Sequence, residues 1–241
     1  VKVIDIIPFA GIASEEIICG ITPPTNGASN SIDMSSDESV ARLREYLNLQ
    51  DSWCLAWLHQ VHGDSVICIE DQPHTGIMVF EGDALVTGHE QVLLITRHAD
   101  CPPLLLWDQE GGVIGIVHAG RRSTFSGIAH KAIDAMVDLG AKVEHTVASI
   151  GPGIKSCCYE VGEEVYYSLE EDLRPMTFEL RHGKIYCDLY RLLSYQLLEA
   201  GVRNVFGIRE SECTCCGPRN LHSYRRDGTT MRFAAFVGRR V

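Results

Sequence analysis

Long apolar runs are missing from this 241-residue chain. No stretch approaches the ~20 consecutive apolar residues of a membrane-crossing helix, so no membrane partner is expected. Also missing is a charged segment followed by a short apolar one, the pattern of a secretory leader. The expectation is therefore a cytoplasmic protein. Positive charge is scarce: 21 Lys and Arg stand against 32 Asp and Glu, giving a formal net charge of −11. That balance argues against a general binder of nucleic acid or membrane surfaces. An anionic substrate must then be met by a local cluster of Arg. No linker, internal repeat or low-complexity tract divides the sequence, so one domain over residues 1–241 is expected.

The familiar local signatures of cofactor chemistry are absent too. There is no Walker loop, dinucleotide fingerprint or His-Glu-x-x-His motif. None of the ten His belongs to a His-x-His pair. Ten Cys without a secretory feature fit a reducing compartment, and most read as free thiols. Cys54, Cys68 and Cys187 sit in apolar or strand-like runs and read as inert core packing.

What is present is a series of short apolar runs bounded by Gly, Pro or Asp. Trp53–Leu58, Ser65–Glu70, Ala84–Thr87, Val92–Thr96, Leu104–Trp107 and Val113–Val117 are expected strands. Thr146–Ile150, Val205–Ile208 and Arg232–Val237 complete the set. Two helices are expected, at Phe125–Leu139 before Gly140 and at Leu189–Glu199 before Gly201. The Thr22–Ser39 stretch reads as a surface loop leading into a third, with Ser35 and Glu38 as its capping box. Strands outnumber helices and come in blocks, which indicates an α+β fold and not a βαβ repeat.

Three of these runs end at a metal-capable side chain, followed by Gly or Pro: His62, Cys101 and His118. Two imidazoles and one thiolate suffice for a tetrahedral zinc site with its fourth position open. Spacing does not tie the three together, and two hydrogen-bonded His with a buried Cys is the plainer alternative. His59 competes with His62, because in an extended chain the two point to opposite faces. Arg121 and Arg122 follow His118 directly, and Arg225 and Arg226 form a second pair. Guanidinium forks suit phosphate oxygens, and Arg122 stands where a helix should begin. Paired Arg are otherwise solvated surface charges. The segment from Gly151 to Glu160 reads as a tight, pocket-lining loop. Cys213-Thr214-Cys215-Cys216 has only His222 nearby and no matching second half, and reads as a loop with free thiols.

Together these segments resemble the YfiH family, also called the laccase-domain or multicopper polyphenol oxidase family. The matching stretches are LHQVHGDSV (58–66), GDALVT (82–87), ADCPPLLL (99–106), GVIGIVHAGRR (112–122), IGPGIKSCCYEVG (150–162) and HSYRRDG (222–228). They run in the family's order from about residue 55, while the first 50 residues match poorly. The resemblance implies a single domain of mixed β-sheets flanked by helices, in a four-layer α/β/β/α arrangement. It implies a zinc site at His62, Cys101 and His118. It also implies phosphorolysis of adenosine, inosine, guanosine and methylthioadenosine, with deamination of adenosine. Three positions depart from the family pattern: Arg121 stands in place of Trp, Ser123 in place of Gly and His98 in place of Thr.

On that reading His62, Cys101 and His118 carry the catalytic metal, and Asp100 or His98 handles protons. Arg122, Arg226 and Arg121 position phosphate, and the remaining partner is a purine nucleoside. Copper at Cys/His₂ is allowed by ligand softness and by the Irving–Williams order. Two other readings use the same residues. One is a cysteine hydrolase or cell-wall editing factor with Cys101 as nucleophile and His118 or His62 as base. The other is a copper-dependent polyphenol oxidase.

Overall fold

The fold follows from strands that are apolar on both faces. Along β6 (Val92–His98), Val92 and Leu94 turn to one core while Leu93 and Ile95 turn to another. A strand buried on both sides reads as a continuous apolar run, because neither face meets water. Our computed structural model describes residues 6–23, 34, 36–71, 73–209 and 211–241. No helix among them is long and apolar enough to cross a membrane.

The strands in chain order are β1 (Ile17–Ile21), β2 (Cys54–His59), β3 (Val66–Ile69), β4 (Gly76–Glu81), β5 (Ala84–Thr87), β6, β7 (Pro103–Asp108) and β8 (Ile114–His118). After them come β9 (Thr146–Ile150), β10 (Glu160–Val161), β11 (Phe178–Arg181), β12 (Lys184–Cys187), β13 (Asn204–Phe206) and β14 (Phe233–Arg239). The helices are α1 (Asp37–Tyr46), α2 (Arg121–Phe125), α3 (Ile128–Asp138), α4 (Glu163–Tyr167), α5 (Arg174–Thr177), α6 (Leu189–Glu199) and α7 (Tyr224–Asp227).

One sheet has the order β1-β14-β6-β2-β4 and a second the order β13-β9-β7-β8-β5-β3. Three apolar cores separate four layers. Val40 and Leu43 of α1, with Leu47 just after it, pack on the outer face of the first sheet. Leu58, Leu94, Leu105 and Ile116 fill the space between the sheets. Ile133 and Met136 of α3 and Leu193 and Leu197 of α6 cover the second sheet. This is a mixed α+β domain in the order α/β/β/α. A small sheet, β10-β12-β11, sits apart over its own core of Val165, Leu169, Phe178 and Leu192.

From β2 to β7, successive strands alternate between the two large sheets. That weave makes β2 parallel to β4 and β6, and β3 parallel to β5, with no helical crossover between them. It also brings loops together. β2 and β6 are parallel, so the connections leaving them lie at one edge of the molecule. β8 runs antiparallel to β7 and ends where β7 begins, at that same edge.

The expected helix over Phe125–Leu139 is two helices. Gly127 adopts φ +77°, a left-handed conformation that interrupts the helical ladder between α2 and α3. Val137, though apolar, is exposed on α3. Leu189–Glu199 is helical as expected, and its Asp188 N-cap accepts bonds from the amides of Tyr190 and Arg191. The capping box expected at Ser35 cannot be placed, since Ser35 lies outside the described residues, and α1 begins after Ser36.

Candidate metal centre and cavity

His62, Cys101 and His118 meet at the edge where the connections gather. Their ligand-capable atoms all lie within 4.8 Å of one another. His62 follows β2 in a left-handed conformation (φ +57°), Cys101 lies in the β6–β7 connection, and His118 is the last residue of β8. The His62 and His118 rings stand edge to face, 4.8 Å between centroids. A Cβ on Gly120 would lie 3.1 Å from the His62 ring and 3.3 Å from the Cys101 sulfur, so the bare backbone there leaves the three donors room.

Asp83, at the start of β5 and fully buried, organises this group. Its Oδ1 accepts from His118 Nδ1 at 2.8 Å and from the His62 amide at 3.0 Å. Its Oδ2 accepts from the Gly63 amide at 2.7 Å. One carboxylate therefore fixes the loop of one imidazole and the tautomer of the other, leaving His118 Nε2 toward the shared centre. Sequence reasoning passed over Asp83. Its signal was a lone acid opening an apolar strand in Gly82-Asp83-Ala84-Leu85.

The electrostatics couple tightly. Burial opposes ionisation of Cys101, but the His118 charge and hydrogen bonds from His118 and His62 bring the thiol down to about 6. Burial also opposes the His118 imidazolium, yet Cys101 and Asp83 raise it to about 9. Asp83 is held below the usual carboxylate range: burial opposes this, but the bond from His118 and the loop amides prevail. Two imidazoles and a thiolate poised to ionise, with one ring oriented by a carboxylate, fit a divalent cation with an open position.

The centre opens into a cavity of about 590 Å³. Arg97, Arg121, Arg225 and Arg232 line it, with Tyr159, Tyr224, Ile154 and Leu189. Asp100, the one acid in the wall among the described residues, is turned to other work. Strained at φ +93°, it accepts from Thr214 Oγ1, Ser223 Oγ and the Arg225 amide, each at 2.7 Å. It ties two distant loops to the residue before Cys101, with both of its oxygens engaged.

Arg121 lines the cavity, whereas His98, Arg226 and Arg122 are not among its lining residues. His98 is fully buried, with Nδ1 bonded to the Cys101 carbonyl and Nε2 to Thr96 Oγ1. Burial, with the nearby His118 charge, drives its pKa well down, so it braces the ligand loop as a neutral ring. Arg226 faces away, held by Asp227 and by the carbonyls of Thr214 and Leu221. Arg122 is exposed and reaches the Val61 carbonyl at 3.4 Å. His59 is exposed at the end of β2, against Trp57, and takes no part in the centre. Arg97 and Arg232 were not foreseen, and of the second Arg pair it is Arg225, not Arg226, that lines the cavity. The loop after Gly151 does line the cavity, through Ile154 and Tyr159.

Comparison with known proteins agrees with this architecture. The family described as "Multi-copper polyphenol oxidoreductase laccase" matches residues 26–240, so the likeness begins well before the motifs that first suggested it. A purine nucleoside phosphorylase of Deinococcus radiodurans is 40% identical over 227 residues, covering 91% of this chain and 85% of that protein. Purine nucleoside phosphorylase YfiH of Shigella flexneri is 32% identical, covering 75% and 72%. Among solved structures, YfiH of Bacillus licheniformis superposes with a TM-score of 0.80 at 24% identity, covering 93% of both chains. YlmD of Geobacillus stearothermophilus does so with a TM-score of 0.77 at 29% identity, covering 94% and 93%.

Proposed function

The chain belongs to the multi-copper polyphenol oxidoreductase laccase family, and from its cavity we propose that it is a zinc-dependent purine nucleoside phosphorylase working in the cytoplasm. The observation that carries this reading is the pairing of an open three-donor centre with four guanidinium side chains around one cavity in an acidic protein. Its curated relatives named as purine nucleoside phosphorylases support the substrate class.

In phosphorolysis a phosphate oxygen attacks the anomeric carbon of the nucleoside. The bond from that carbon to the purine nitrogen breaks, and its electron pair leaves with the base. Arg121 and Arg225 present planar forks to the phosphate oxygens and hold them in line for attack. Arg225 is itself pinned by the Glu160 carbonyl at 3.0 Å and lies over the Tyr159 ring. The Tyr159 and Tyr224 rings offer apolar faces to a purine. His62, Cys101 and His118 hold the cation, which when bound supplies Lewis acidity at its open position. Asp83 keeps His118 in one orientation, and Asp100 keeps the Arg225 backbone at the wall. Deamination of adenosine, with water adding at the ring carbon that bears the amino group and ammonia leaving, belongs to the same pocket. Phosphorolysis of adenosine, guanosine and methylthioadenosine belongs there as well.

A second reading has its own observation. Cys101, His118 and Asp83 form a hydrogen-bonded chain in the order of a cysteine nucleophile, its base and the group that orients the base. A multicopper phenol oxidase finds less support. Among the described residues, neither group of three or more close metal-capable side chains contains more than two His.

The test is to incubate inosine with the zinc-loaded protein, with and without phosphate, and to quantify free base and sugar phosphate. Phosphate-dependent release of hypoxanthine with equimolar sugar 1-phosphate is expected. No release, or release indifferent to phosphate, overturns the proposal. Iodoacetamide labelling separates the second reading: on the metal reading Cys101 is protected until a chelator is added.

A further inference from the structure

Cys157, Cys158, Cys213 and Cys216 come from two loops more than fifty residues apart, yet their sulfurs all lie within 4.8 Å of one another. The sequence shows Cys213-x-x-Cys216 as a half-site without a partner. The fold supplies the partner as the adjacent pair Cys157-Cys158. We propose that these four thiols form a second, closed metal site that takes one Zn²⁺ ion and staples the loop of residues 151–159 to the loop of residues 211–217.

The geometry favours a single ion. Tetrahedral zinc with Zn–S bonds of about 2.3 Å holds its sulfurs about 3.8 Å apart. The Cys157 and Cys216 sulfurs are 3.6 Å apart already. An iron–sulfur cluster, with several irons and sulfides between the thiolates, needs them spread farther. The backbone is shaped for charged sulfur as well. The Lys155 amide points to Cys213 Sγ at 3.5 Å, and the amides of Cys215 and Cys216 turn to the same atom. Gly217 closes the turn by donating to the Cys213 carbonyl at 2.7 Å, where a Cβ would collide. Cys213 also bridges to Gly153, so the loops are aligned without the metal.

This site is independent of the proposed activity, though it borders the same cavity. Ile154 and Tyr159 of one stapled loop line the cavity. Thr214 of the other donates to Asp100, next to Cys101. On binding, four thiol protons leave to solvent as four Zn–S bonds form. No fourth position stays open, so the role is to hold and not to react.

Two proteins decide it: the parent and Cys101→Ala, purified under reducing conditions and exposed to ZnCl₂, with loose metal removed. Elemental analysis is expected to give about two zinc per chain in the parent and about one in Cys101→Ala. Adding Cys157→Ser and Cys216→Ser to Cys101→Ala is expected to remove the remaining ion. Both replaced side chains are exposed, so the core is spared. Loading Cys101→Ala with Co²⁺ should give the intense near-ultraviolet sulfur-to-cobalt absorption of a four-thiolate site. Any of three results overturns the proposal: no zinc in Cys101→Ala, zinc unaffected by the two Ser, or a mass deficit of two hydrogens marking a Cys157–Cys216 disulfide in the reduced preparation. Iron in place of zinc overturns the zinc assignment.

Discussion

His62, Cys101 and His118 are mounted where the two large sheets exchange strands, whereas Cys157, Cys158, Cys213 and Cys216 are mounted on loops at one side. In the first group a buried carboxylate orients the rings, a nearby glycine makes room, and three donors leave a vertex free. In the second, backbone amides face the sulfur and four donors fill every vertex. The first group opens into an Arg-lined cavity, and the second includes two exposed residues, Cys157 and Cys216. On the two proposals above, the difference separates a centre for chemistry from one for cohesion. Rigidity comes from the sheets in one case; in the other a single Gly153–Cys213 bridge aligns the loops, and the proposed ion would add to it.

The largest effect expected from breaking this contrast is on turnover. Cys101→Ala should lower phosphorolysis by at least about 10³-fold, the scale of losing a group at the reacting centre. Cys157→Ser with Cys216→Ser should hold it within about tenfold while lowering Tm by several degrees. Equal losses of turnover in both proteins would erase the distinction. Next comes Asp83→Asn, which removes the carboxylate charge and puts an NH2 donor in place of one of the two oxygens that accept from His118 and the loop amides. Metal affinity at the first centre should fall about 10–100-fold, read by competition with a chromogenic chelator, with the four-Cys site unchanged.

A smaller effect concerns protons. His118, raised to about 9, keeps its proton across neutral pH, while Cys101, lowered to about 6, has already lost its own. Loading the first centre between these limits must therefore expel a proton from His118. Affinity should climb about tenfold per pH unit from about 6 to about 9, flatten above, and steepen below, where the thiol must also be deprotonated. Calorimetry of the Cys157→Ser, Cys216→Ser protein in buffers of different ionisation enthalpy counts the protons. The smallest effect is at Thr214. Thr214→Val takes a donor from the buried Asp100 carboxylate and should cost about 1–3 kcal/mol of stability, read by thermal unfolding.

Much of the sheet structure could be read from the sequence, because buried-on-both-sides strands leave unbroken apolar runs such as Leu104-Leu105-Leu106. The edge strand β4 escaped notice: it pairs along one side only and carries the exposed Ile77 and Val79. The hairpin of β11 and β12 escaped too, although His182-Gly183, both at positive φ, marks its turn. Strand pairing is non-local, so the weave between sheets left no trace in spacing. His62, Cys101 and His118 stood out because each ends an apolar run, but that they meet was implied only by the family resemblance. The four-Cys group was not legible, since adjacent Cys157 and Cys158 lack the spacing of a metal half-site and their partners lie more than fifty residues away. Arg225 and Arg226 show a finer limit. Neighbours on a short helix face different ways, and only the fold decides that Arg225 meets the cavity while Arg226 braces a loop.

The alternation of β2 through β7 between sheets has a kinetic consequence. Neither sheet can be completed while the other is absent, so native pairing must wait for segments distant along the chain, and a topology of high contact order folds slowly. The edge that carries His62, Cys101 and His118 is expected to form late, because it needs both crossings and the end of β8 at once. Metal uptake during refolding would therefore time the closing of the weave.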